Sequence, residues 1–216
     1  MATLNDRLGE APRFGARAWM AAAAGGALLI IVAVLAARGV DRAGIETAVS
    51  LTGRLAFAFF VPSYVGSALV TLFGGRFGAV KRQARSLGLG FATVIAIHLC
   101  LVGWQCLIGD APPIATILIF GLAAAWVAGL AAGSIEAVSQ AIGAPGWWVL
   151  RNIGMNYIAL AFALDFLNLE HFKTPVKAIE YLPFAALSVL GPLLRASAWA
   201  TRSLHTGASV AGAQGN

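Results

Sequence analysis

The chain repeatedly runs for a bilayer's width almost without charge, and no other feature limits its fold as strongly. A hydrocarbon core about 30 Å thick takes about 20 apolar residues of α-helix to cross. Ala18–Ala37, Leu55–Gly75 and Ser86–Gly109 contain no charged residue at all. A short turn, Asp110-Ala-Pro-Pro113, leads into Ala111–Ile135 as the fourth stretch. Trp147–Asn168 is the fifth, interrupted by Asp165, and Tyr181 to about Ala200 is the sixth, with Arg195 near its end. The spacing predicts an all-α integral membrane protein whose six transmembrane helices form one bundle, lipid being its main environment.

Composition excludes the soluble alternative. Hydrophobic residues make up 59% of the chain and charged residues 11%, against about 45–50% and 25% in ordinary soluble domains. So much apolar surface exceeds what a globule of 216 residues can hide. The net charge of +6 is spread between the apolar runs, not gathered on one face, so it speaks for membrane topology and not for nucleic acid.

Basic residues set the orientation. With the N-terminus in the cytoplasm, Arg7, Arg13, Arg17, Arg76, Lys81, Arg82, Arg85, Arg151, Arg195 and Arg202 fall inside, and Arg38, Arg42, Arg54, Lys173 and Lys177 outside. The excess on one side predicts that both termini are cytoplasmic, with the loop Arg76–Arg85 as the clearest signal. A signal peptide competes for the first stretch, because basic residues precede it and small ones end it. Its apolar run is longer than a usual h-region, so a retained helix is expected. The resulting division is a cytoplasmic segment 1–17, a membrane unit 18–200 and a flexible tail 201–216.

Several side chains stand out against this background. Cys100 and Cys106 share one apolar run, too far apart along a helix for a disulfide, and read as small buried groups. Pro62 predicts a kink in the second helix. Gly129 and Gly133 form a GxxxG pattern suited to close helix packing, although chance produces such patterns in a Gly- and Ala-rich chain. Arg195 can snorkel to the interface beside Trp199.

His98 lies in the middle of the third stretch, where an ionisable side chain is costly and usually has a partner. It could ligate a haem, relay protons, touch a substrate, or simply stay neutral and hydrogen-bonded to a neighbouring helix. Counted from the cytoplasmic end at 1.5 Å per residue, His98 lies about 18 Å deep, Asp165 about 26 Å and Asn152 about 7 Å. Asp165 can therefore approach His98, or else stay solvated at the outer interface beside Asn168 and Glu170. Soluble chemistries find no motif here: Cys-x-x-Cys, His-Glu-x-x-His, a phosphate-binding glycine loop and a dinucleotide fingerprint are all missing.

The order of motifs resembles the ferric-reductase-like transmembrane domain, and within it the haem-binding membrane subunit of the bacterial methionine-sulfoxide reductase system. Thr52-Gly53-Arg54-Leu55-Ala56 resembles the TGxxA opening of the family's second helix. Arg82-Gln-Ala-Arg85-Ser-Leu-Gly-Leu89 resembles the RRxLGL start of its third, and His98 then falls on a haem-ligating histidine. Gly133-Ser134, Ile142-Gly143 and Trp147-Trp148 resemble the approach to its fifth. The likeness covers Thr52 to Arg195 and implies a bacterial inner-membrane component that moves electrons through haem b. A quinone or flavoprotein would be its donor and a periplasmic redox protein its partner.

One departure matters. The family's two further histidines, 13 residues apart on helix five, fall here on Asn152 and Asp165. Neither side chain is a usual haem ligand. Met155 and Tyr157 have acceptable ligand chemistry, but Met155 lies only about 11 Å deep. The resemblance thus implies an electron-transfer scaffold that keeps His98 and has lost two ligand positions. The alternatives are a haem-free subunit or binding protein on that scaffold, with His98 and Asp165 paired in the vacated space, or a small-molecule transporter.

Overall fold

The computed structural model describes residues 15–213, with side chains to residue 204; the first fourteen residues of the expected segment 1–17 lie outside this range, as do residues 214–216. The described residues form six α-helices and no strand: α1 Ala16–Arg38, α2 Arg42–Phe73, α3 Gly78–Leu107, α4 Ile114–Ala132, α5 Glu136–Phe166 and α6 Pro175–Ala213. Two 3-10 turns, Gly74–Phe77 and Leu169–Phe172, complete the chain. Helices are the expected outcome, because lipid offers no partner to an open backbone N–H or C=O.

Four stretches are helical, long and apolar enough to cross a membrane: Ala16–Arg38, Arg42–Leu107, Ile114–Ala132 and Pro175–Leu204. The second holds both α2 and α3. Many of their apolar side chains point outward; Leu29 is 70% exposed and Leu118 66%. Such surfaces belong in lipid, and the chain is a multi-pass membrane protein. α5 stays outside this set, its apolar run being diluted by Arg151, Asn152 and Asn156.

The helices overrun the predicted stretches at their charged ends. α2 begins at Arg42, well before Leu55, because Asp41 caps it by accepting from the Gly44 N–H at 3.0 Å. The turn before it is closed by Gly39, whose φ of 92° is open to glycine alone, and whose carbonyl leaves no room for a Cβ on Gly44. α6 also differs from its prediction: helix continues to Ala213 where a flexible tail was expected from Thr201.

Packing is built on a ring. α2 contacts α1, α3 and α6, α3 contacts α4, α4 contacts α5, and α5 contacts α6, so α2 to α6 close on themselves and α1 lies outside against α2 and α3. Ala23 and Ala27, one turn apart and fully buried, let α1 approach closely. The ring is filled by aromatic side chains. Phe57 of α2 meets Phe162 and Phe166 of α5 and Phe184 of α6 at centroid distances of 5.0, 4.8 and 6.2 Å. Phe60 extends the stack to Tyr64 and to Phe91 of α3.

Three expectations need correction. Cys100 and Cys106 are exposed on the outer surface of α3, not buried, since its inner face is taken by Val94 and Leu101. Pro62 does not interrupt α2, which runs from Arg42 to Phe73 with helical backbone throughout. The break falls in α5, at Gly143 with φ 72° and ψ 161°, two residues before Pro145. The GxxxG pair does not form a helix–helix seam either. A Cβ on Gly129 would meet nothing, whereas one on Gly133 would run into the Trp147 ring.

Candidate functional site

His98 is half-buried on α3 and faces Thr52 and Gly53 of α2. Its Nδ1 lies 3.0 Å from the Thr52 hydroxyl. Thr52 has a single proton to give, and the carbonyls of Ala48 and Val49 take it at 2.8 and 3.1 Å. With its proton on a carbonyl the hydroxyl accepts from the imidazole, and in that Nδ1–H tautomer Nε2 keeps a lone pair. A neutral histidine bonded to the next helix is what this geometry gives, and its partner is Thr52, not Asp165.

Asp165 belongs to a different cluster at the far end of α5. Its Oδ1 lies 4.0 Å from His171 Nε2, and its side chain is 47% exposed. His171 stacks on Tyr181 at 3.7 Å, and the Arg54 guanidinium lies 4.2 Å over the same ring while pairing with Glu180 at 3.3 Å. Of the two readings of Asp165, the interfacial one matches these contacts.

Asn152 is also engaged. Its Oδ1 accepts from Arg195 Nη2 at 2.8 Å, and from Asn156 Nδ2 at 3.4 Å. Arg195 therefore turns inward instead of snorkelling, with its guanidinium 4.4 Å over the Tyr64 ring, and Tyr64 donates to Asn156 Oδ1 at 2.8 Å. Trp199 is 72% exposed, away from this network. Met155 is buried, and the Tyr157 hydroxyl donates to the Ile119 carbonyl at 3.2 Å.

These placements decide how well a haem would fit. One axial ligand is available, because a histidine held at Nδ1 by a hydroxyl presents Nε2 to a metal. The rest does not fit. Asn152 and Asp165 are spoken for by Arg195 and His171, and the space between α2, α5 and α6 is packed with interlocking rings. Beside His98 itself, Val94 and Ala56 have no exposed surface. The residues present do not accommodate a porphyrin held between α3 and α5.

The open space lies elsewhere. A cavity of about 580 Å³ sits at the end of the bundle that carries Arg85 and Ser134, walled by α2, α3, α4, α5 and the segment joining α4 to α5. Phe91, Val127, Leu130 and Met155 give it an apolar wall. Arg85, Arg151 and Glu136 supply its charges, and Ser63 a hydroxyl. Arg85 Nη2 donates to the Ser134 carbonyl, tying α3 to the end of α4, and Trp147 packs over Gly133. Sequence reading missed this site. Arg151, lodged a few residues inside a membrane stretch, was the available signal, and its use for topology alone hid its other meaning.

Comparisons of the chain with protein-family models, with curated proteins and with solved structures found no match.

Proposed function

We propose that the chain is a haem-free binding component on a ferric-reductase-like scaffold, crossing the bacterial inner membrane six times with both termini in the cytoplasm. The observation that carries this reading is the fate of the two helix-five positions. Where the resemblance puts ligating histidines, Asn152 is bound to Arg195 and Asp165 faces His171. A fifth crossing by α5 is supported by the same network, since the side-chain carbonyls of Asn152 and Asn156 accept from Arg195 of α6 and Tyr64 of α2. The orientation follows from the basic turn around Arg76 to Arg85.

One observation favours a second reading, electron transfer through a five-coordinate haem on His98 fed by a quinone or flavoprotein. The Thr52 contact at Nδ1 matches the Nδ1–H tautomer of His98, whose Nε2 can bind iron. An absorption spectrum separates the two. Protein purified from haem-replete cells is expected to show no Soret band, oxidised or dithionite-reduced. A stoichiometric Soret band that disappears in His98→Ala would refute the haem-free reading.

A further inference from the structure

The cavity is amphipathic in a definite order. Its wall of Phe91, Val127, Leu130 and Met155 is apolar, while Arg85 brings charge from α3 and Glu136 and Arg151 bring it from α5. At about 580 Å³ it falls within the roughly 300–1,000 Å³ of small-ligand sites. Two of its polar groups are not satisfied by the protein. Arg151 is exposed and pairs with no acidic or hydrogen-bonding group among the described residues. Ser63 is 8% exposed, yet its hydroxyl makes no hydrogen bond with another described residue. Gly88 keeps the space beside that hydroxyl open, since a Cβ there would lie 3.2 Å from Ser63 Oγ.

We infer that this cavity binds an anionic phospholipid, with the phosphate at Arg85 and Arg151 and the glycerol–acyl portion against the apolar wall. The inference deepens the binding-component reading and rests on it. Arginine suits a phosphate because its planar donors meet two oxygens at once, and Arg85 spends one N–H on the Ser134 carbonyl while the others stay free. Two guanidiniums outweigh the single Glu136 carboxylate, which already accepts from Gln140 Nε2 at 3.2 Å. The Ser63 hydroxyl is placed to donate to an ester oxygen deeper in the cavity. Location agrees with this chemistry: basic pockets between helices on the cytoplasmic side suit anionic headgroups.

The test uses the purified full chain in neutral detergent, titrated with dioleoyl phosphatidylglycerol, dioleoyl phosphatidylcholine or soluble glycerol phosphate, with bound ligand read by native mass spectrometry. Phosphatidylglycerol should be retained about tenfold better than phosphatidylcholine, and Arg151→Gln should abolish most of that preference, a loss of about tenfold or ~1.4 kcal/mol. Ser63→Ala should weaken retention about threefold, and Glu136→Gln should strengthen it. Lys173→Gln, in the turn at the opposite end of the bundle, should change nothing. Circular dichroism and thermal unfolding identify any variant that fails to fold, in which case Ser63→Ala and Glu136→Gln carry the test. Equal retention of the two lipids, or an Arg151→Gln protein that binds like wild type, overturns the inference. So does glycerol phosphate binding as tightly as the lipid, which would mark a site for free phosphate esters. A Soret band would instead remove the haem-free reading and leave these titrations untouched.

Discussion

Phe57→Ala is expected to lower the unfolding free energy by about 3 kcal/mol, the low end of the range for buried Phe→Ala changes. Phe57 is 2% exposed and meets Phe60, Phe162, Phe166 and Phe184, so it joins α2 to α5 and α6 through a single ring. The low end applies because the reference state is lipid. Leaving a bundle for hydrocarbon forfeits little hydrophobic free energy, and what is lost is dispersion and ring–ring geometry. Each aromatic pair adds about 0.5–1.5 kcal/mol beyond area burial, and four are broken at once. Leu29→Ala makes the comparison, since Leu29 is 70% exposed on α1 and should cost less than about 0.5 kcal/mol. Equilibrium unfolding in mixed micelles, titrated with denaturing detergent, measures both. Equal midpoints for the two variants would mean that the aromatic stack does not hold the ring together.

The same contrast between lipid and bundle explains what could be read from the residues. Stretches lipid requires to be uncharged are visible in any window of the sequence, and each of the six coincides with part of one helix. Helix ends were misjudged because lipid makes no such demand at the interface. α2 starts at Arg42 in a turn held by Asp41, Gly44 and an ion pair from Arg42 to Asp110. α5 starts at Glu136 and bends at Gly143, a conformation set by one residue.

His98 was legible as the one imidazole within an apolar run, and its partner was not. Residue counting gives depth along a helix axis but not rotation about it. Depth alone allowed Asp165, whereas rotation turns His98 towards Thr52. The cavity was less legible still. Ser63, Arg85, Glu136 and Arg151 come from three helices, and each looks unremarkable among its sequence neighbours.

Asn152→Leu should cost about 2–3 kcal/mol, the value of a hydrogen bond to a charged group whose partner is then stranded. The loss is large because Arg195 Nη2 gives up its 2.8 Å bond to Oδ1 and keeps only the Tyr64 ring at 4.4 Å. A cation–π contact is worth about 0.5–2 kcal/mol and cannot replace a carbonyl acceptor for an inward-turned guanidinium. The double variant Asn152→Leu/Arg195→Leu removes charge and acceptor together, so it should be more stable than Asn152→Leu alone. That inversion is the signature of a stranded charge, since two independent losses would add. Thermal unfolding of the four proteins in one detergent completes the cycle. If the double variant were instead the least stable by the sum of its parts, Asn152 would not be Arg195's partner. Asn152 would then not tie α5 to α6, and its side chain would be free for another role.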